Sequence, residues 1–350
     1  MLPRIASLGH EVAVSAFCGL SGARTSWHGI TVYPGGFSPV GDDVIAGHAA
    51  DFRADLVITL MDIFALRPQV MKDLGAVHWM PVDCEPLGQG DKIALRESGA
   101  QPIAFSEFGR HQLSEAGFSP LYVPHGIDTQ VFCPGDRAAA RERMGLPEDA
   151  FVIGMNAANV DDRRKGWFEQ MAAFGFFREK HPDAVLLAHT IAPGPGQNLS
   201  GLADFFGIGH AVRWSDRYKY STGGFSARDM ALWYAALDVY SGASWAEGFG
   251  LPLAEAQACG IPVVATRGSA MTEVTGAGWL VDGEPAWKEG HYAQWCKPRI
   301  GDLTDAYEAA YNGAHATGMA GKARSHAMRY DADSLLPEWD RILKILEART

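Results

Sequence analysis

Apolar and polar positions alternate along this chain in two registers, short strand-like runs separated by stretches of helical spacing. Residues 1–9 read as the end of a helix and 10–17 as a turn into a strand. Strand-like runs follow at 31–33, 55–60, 77–82, 102–105 and 121–123, interleaved with helical patterns at 42–52, 90–98 and 107–116. The rhythm resumes with strands at 151–155, 184–189, 212–214, 238–241, 261–266 and 279–281. Helices alternate with them at 138–144, 167–180, 227–237, 253–259 and 304–311. Such alternation predicts an α/β chain built on parallel, doubly wound sheets. The last segment, 334–348, carries Leu335, Leu336, Trp339, Ile342, Leu343 and Leu346 at helical spacing and reads as an amphipathic helix.

Composition narrows the classes. At 350 residues the chain is long enough for two ordinary domains. Hydrophobic residues at 47% and charged residues at 20% describe a globular protein. A formal net charge of -11 argues against a polyanion partner, so no nucleic acid is expected. No apolar run approaches the ~20 residues of a membrane span, and the first residues lack the apolar core of a signal peptide. Cys18, Cys84, Cys133, Cys259 and Cys296 are scattered without a C-x-x-C, which suggests neither a disulfide framework nor a zinc site. The expectation is a cytoplasmic protein without an integral membrane segment.

The chemistry concentrates in 244–266, SWAEGFGLPLAEAQACGIPVVAT. Gly248 and Gly250 flank Phe249 in a backbone that can approach a ligand closely. Pro252 stands where a helix begins, and Gly260 supplies its left-handed stop. A helix N-terminus opening from glycine suits a phosphate. Glu247 and Glu255 bracket it, and carboxylates accept hydrogen bonds from hydroxyls. Phosphate and hydroxyls together describe a nucleotide sugar.

This stretch resembles the E-x7-E signature of retaining glycosyltransferases of the GT-B fold, in the large family numbered four. The whole string carries the resemblance, since two glutamates eight apart are common by chance. It implies two Rossmann-like domains facing a cleft: an acceptor domain at 1–132, a donor domain at 133–333, and a C-terminal helix at 334–350 returning to the first domain. It implies Glu247 against the donor sugar, Glu255 on the ribose, and Phe249, Gly250 and Leu251 among the donor-binding residues. Family members begin with a further strand and a glycine-rich loop, and the first domain here is expected to lack that strand.

Other residues join by position. In 162–166, DRRKG, cations between a strand and a helix suit a diphosphate, with Lys165 and Arg164 the leading candidates. The family's additional cation falls near Asn159. Asp83, at the end of a strand, either orients an acceptor hydroxyl or caps the next helix. His125, in the family-like VPHGID segment, either touches the donor or serves a turn. His78 reads as a core or edge residue, and Glu273 as a helix-start residue near the site. Asp331 and Asp333 have metal-motif spacing but precede a helix as caps, so no metal ligand and no cofactor is assigned.

The function expected is transfer of a hexose-type group from a nucleotide diphosphate sugar to a hydroxyl of a glycan, lipid or small molecule, with retention. Glu247, Lys165 and Asp83 are its catalytic candidates. A nucleotide-sugar 2-epimerase and a non-catalytic nucleotide-sugar binder stand as alternatives.

Overall fold

The computed structural model describes residues 1–17, 19–159 and 163–348, which form two compact units. Cys18 and Asp162 lie outside the described residues.

The first unit comprises Met1–Gly126, Lys288–Ala293 and Ala332–Thr350. It contains a three-stranded sheet, β1 (Ala13–Ser15), β2 (Thr25–Trp27) and β3 (Ile30–Tyr33), in the order β1-β3-β2. β1 runs parallel to β3, whereas β2 is antiparallel to it. The two join through His28 and Gly29, both at positive φ, a tight connection that matches strand twist. A second sheet orders β4 (Ile58–Thr59), β5 (Val77–Met80), β6 (Gln101–Ala104) and β7 (Leu121–Tyr122) sequentially, all parallel. The sequence predicted one doubly wound sheet here; the unit has two, and the antiparallel β2 edge had no signal stronger than His28-Gly29.

All four residues of β5 are buried, as a strand covered on both faces requires. His78 is one of them: it hydrogen-bonds Thr59, and burial pushes its imidazole down to about 4, so it is neutral at pH 7. The helix Leu336–Glu347 packs in this unit, burying Trp339, Ile342, Leu343 and Leu346, the positions its spacing marked. Trp339 meets Trp79 edge-on with centroids 4.9 Å apart.

The second unit comprises Ile127–Trp287 and Gln294–Asp331. Its strands are β8 (Val152–Asn156), β9 (Val185–His189), β10 (Val212–Trp214), β11 (Val239–Ser241), β12 (Val263–Thr266) and β13 (Gly278–Val281). They are parallel, in the order β10-β9-β8-β11-β12-β13. Counted from β8 this is 3-2-1-4-5-6, the Rossmann order, whose direction reverses between β8 and β11. Trp167, Phe174 and Phe177 of the helix Trp167–Lys180 and Tyr307 of Ile300–Gly313 fill the core against Ile153, Leu186, Val239 and Val264. Each large apolar side chain buried there stabilises the unit by roughly 1.5–3 kcal/mol.

A polar knot locks the opposite end of this sheet. Asp238, fully buried, accepts from Arg141 at 2.7 Å and from the Val152 amide at 2.6 Å, and also pairs with Arg137 and His315. After β13 the chain makes a separate two-stranded sheet, β14 (Gly283–Lys288) and β15 (Ala293–Pro298), which the sequence pattern did not disclose.

Candidate functional site

In a Rossmann sheet the strand-order reversal leaves space beyond the carboxyl ends of the two central strands. Here these are β8, ending at Asn156, and β11, ending at Ser241. The loop after β8 carries Asn159, Arg164 and Lys165; the loop after β11 carries Ser244 to Gly250. Residues more than eighty positions apart are thereby set side by side.

Glu247 is the centre of the cluster. Lys165 Nζ donates to its Oε1 at 2.7 Å, and Ser244 Oγ donates to the same oxygen at 2.7 Å. Arg164 Nη1 reaches Oε2 at 3.4 Å and the Ala246 carbonyl at 3.0 Å. The Glu247 amide donates to Ser269 Oγ at 3.0 Å, and Thr266 Oγ1 donates to the Ser244 carbonyl at 2.6 Å. Burial alone would raise the Glu247 carboxyl, but Lys165 and Arg164 outweigh it and hold the carboxyl below its usual range. Glu247 is therefore an anion at neutral pH, flanked by two cations.

Trp245 anchors the same loop from behind. Its amide donates to the Arg164 carbonyl at 2.7 Å, and its carbonyl accepts from the Cys296 amide on β15 at 3.1 Å. Its indole Nε1 donates to Glu169 Oε2 at 3.2 Å. Lys297 of β15 pairs with Glu169 at 3.4 Å and lies 5.5 Å above the indole ring. Ser244, Trp245, Glu169 and Lys297 were not singled out from the sequence, where only the spacing of Ser244 to Glu247 could have pointed to one of them.

The helix after this loop runs Leu251–Ala258, with Gly250 as its N-cap at φ 94°. That left-handed conformation requires glycine and turns the first amides of the helix toward the loop. The helix starts two residues earlier than the sequence suggested, so Glu255 is its fifth residue and lies past the first turn. Glu255 Oε2 accepts the Tyr234 hydroxyl at 2.8 Å; burial raises its carboxyl, and the Tyr234 bond offsets part of that. Phe249 is buried, edge-on to Tyr330 at 5.1 Å. Leu251 opens the helix.

Asn159 is bound into a neighbouring loop. Its amide nitrogen donates to the carbonyls of Ile191 and Gln197, and its oxygen accepts from the Gln197 amide at 2.8 Å. These bonds fasten the 191–197 loop. Glu273 lies in the short helix Met271–Val274. Asp331 accepts from Thr129 at 2.5 Å.

In the first unit, Asp83 follows β5 and pairs with Lys288 Nζ at 3.1 Å. His125 sits between Trp79 and Phe105, with ring centroids 4.4 Å from each, and burial pushes it down to about 4. Asp333 pairs with Arg4 at 2.6 Å. Among the described residues no group of three His, Cys, Asp or Glu side chains is arranged to hold a metal ion. Nor, among them, is any helix long and apolar enough to cross a membrane.

Residues 160–290 match the family described as "Glycosyl transferases group 1". A D-inositol 3-phosphate glycosyltransferase from Stackebrandtia nassauensis is 33% identical over 229 residues, covering 61% of this chain and 47% of that protein. The chain spans about half the length of the curated relatives it matches. Among solved structures, sucrose-phosphate synthase from Thermosynechococcus elongatus superposes with a TM-score of 0.77 at 17% identity, covering 99% of this chain and 92% of that one. Anabaena Alr3699/HepE in complex with UDP-glucose superposes at 0.68 with 18% identity, covering 91% and 86%. The fold is the GT-B fold of these proteins.

Proposed function

We propose that this chain, which matches the group 1 glycosyltransferases over residues 160–290, transfers a sugar from a nucleotide diphosphate sugar to an acceptor hydroxyl, with retention at the anomeric carbon. The observation that carries this reading is the ionised Glu247 between Lys165 and Arg164, beside a glycine-capped helix N-terminus. A leaving diphosphate develops negative charge, which fixed cations and backbone amides stabilise without reorganising. Lys165 uses one of its three N–H groups on Glu247, which leaves two directions for phosphate oxygens. Glu247 orients the sugar, and Glu255, already bonded to Tyr234, accepts from a ribose hydroxyl.

In this reading the second unit is the donor domain and the first the acceptor domain, where Asp83 lies. The UDP-glucose bound to Alr3699/HepE supports a uridine diphosphate sugar as the first donor to test, and the name of the Stackebrandtia relative, which specifies inositol 3-phosphate, supports testing inositol with and without its phosphate as acceptor. Charge compensation of the leaving group rests on side chains and the helix, with no resident cofactor assigned. The proposal sets the reaction in the cytoplasm. The test is nucleotide diphosphate release from UDP-, GDP- and ADP-sugars, with and without polyol acceptors. Release from one donor that disappears in Glu247→Ala supports the reading; release unaffected by that change rejects it.

A further inference from the structure

Three carboxylates of the first unit gather beyond the carboxyl ends of β4 and β5. Asp62 follows β4, Asp83 follows β5, and Asp91 stands in the first turn of the helix Gln89–Ser98. Lys288 faces them, paired with Asp83, both side chains largely enclosed at 13% and 17% exposure. His291 closes another side. Its ring meets Phe64 with centroids 4.7 Å apart, and its carbonyl accepts from the Gln89 amide at 2.9 Å. Cys84, the remaining titratable group here, is pushed by burial up to about 12 and stays a neutral thiol.

The carboxylates are not equivalent. Asp83 is satisfied by Lys288, whereas Asp91 is 5% exposed and accepts no hydrogen bond from any described residue. Burial first, then Asp62 and Asp83, raise its carboxyl, while Lys288 opposes them; the result is about 7. His291 Nδ1 is likewise buried without a hydrogen-bond partner. Gly88 adjoins both: a Cβ there would stand 2.9 Å from Asp91 Oδ2 and 3.3 Å from His291 Nδ1. Buried polar groups almost always find partners, so an unpartnered imidazole nitrogen and a nearly buried carboxylate on either side of one glycine mark a place for an external hydrogen-bonding molecule.

We propose that Asp91 and His291, with Asp83 and Lys288 beside them, form a hydroxyl-binding site that takes an electrically neutral polyhydroxylated molecule, the acceptor of the transfer. The assignment rests on the transferase reading above for the word acceptor, though not for the binding itself. Carboxylates and an imidazole match hydroxyls in hydrogen-bonding capacity. Phe64, 40% exposed, offers a ring edge and face to the C–H surface of a sugar or cyclitol. Three carboxylates against one ammonium repel a phosphate, so a phosphorylated polyol is disfavoured relative to its neutral parent. Ionised Asp91 accepts stronger hydrogen bonds than its neutral form, so binding strengthens as pH rises through the neutral range.

The test titrates myo-inositol, glucose and inositol 3-phosphate into the full-length chain by ligand-observed NMR at pH 6 and pH 8. Thermal melts of each variant report folding. Expected are binding of a neutral polyol by the wild-type chain, several-fold tighter at pH 8, and at least tenfold weaker inositol 3-phosphate. Asp91→Ala weakens polyol binding at least tenfold. Asp91→Asn, which keeps shape and volume, abolishes the pH dependence even if the alanine variant does not fold. The proposal is overturned if neither neutral polyol binds, if the phosphate binds better, or if Asp91→Asn keeps the wild-type pH dependence. Failure of nucleotide diphosphate release with polyol binding intact would instead count against the transferase reading alone.

Discussion

Lys165 and Glu247 meet at 2.7 Å although 82 residues separate them, because β8 and β11 lie side by side at the centre of the second sheet. In the proposed reading the pair couples the leaving-group cation to the sugar-facing carboxylate. Glu247→Ala should therefore abolish transfer while nucleotide diphosphate affinity holds or rises, since Lys165 is released toward phosphate. Lys165→Ala should weaken nucleotide diphosphate binding about 10- to 100-fold, the value of ~1.5–3 kcal/mol for a charged hydrogen bond. Calorimetric titration of both variants checks this; nucleotide loss in Glu247→Ala would refute the assignment.

Trp245 ties the loop of Glu247 to β15, through Cys296 and the Glu169–Lys297 pair. Lys297→Met should lower transfer about tenfold through kcat, with donor KM little changed, because Trp245 loses its brace but no phosphate contact is removed. Lys297→Arg should restore most of the rate. Steady-state kinetics at several donor concentrations separate the two parameters, and a KM effect alone would contradict the bracing role.

Arg141 is buried with Asp238 at its side. Arg141→Met removes the buried partner and leaves Asp238 to a half-exposed Arg137 and an exposed His315. Stability should fall by about 3–5 kcal/mol, the cost of breaking a buried ion pair from one side. Urea unfolding measures it; a change below ~1 kcal/mol would show the pair to be dispensable.

Asp91 gives a pH signature to stability as well as to binding. Its folded carboxyl is raised to about 7, above the ~3.9 of an exposed aspartate. Between those values the folded state holds more protons than the unfolded one, so stability falls as pH rises through that window. Asp91→Asn should then melt higher than the wild type at pH 8, by on the order of 1–3 kcal/mol, with the gain vanishing near pH 4. Calorimetric scans at pH 4.5, 6 and 8 decide it, and a gain constant across pH would refute it.

The sequence discloses whatever is written locally. The helix Trp167–Lys180 and the loop-helix-strand from Ser244 to Thr266 emerge at or near their predicted limits because spacing, glycine and proline specify them from within. The amphipathic 334–348 segment is helical for the same reason. Residues 283–298 show neither alternation nor a strong turn, so β14 and β15 went unseen. Asn159 looked like a cation's neighbour, yet its partners, Ile191 and Gln197, stand more than thirty positions away. Asp91 reads as an ordinary acid in a first helical turn. Only burial, which belongs to the whole unit, makes it unusual.

The place of β8 in the sheet has a consequence for dissecting the chain. The segment shared with the glycosyltransferase family begins at residue 160, just after β8 ends at Asn156. That strand pairs with both β9 and β11. A fragment cut at 160 would therefore keep the recognisable signature and lose the middle of its sheet. The neighbouring strands β9 and β11 would be left with bare amide and carbonyl edges, which template aggregation. Homology and folding draw their boundaries in different places, and an expressible donor domain must start upstream of Val152.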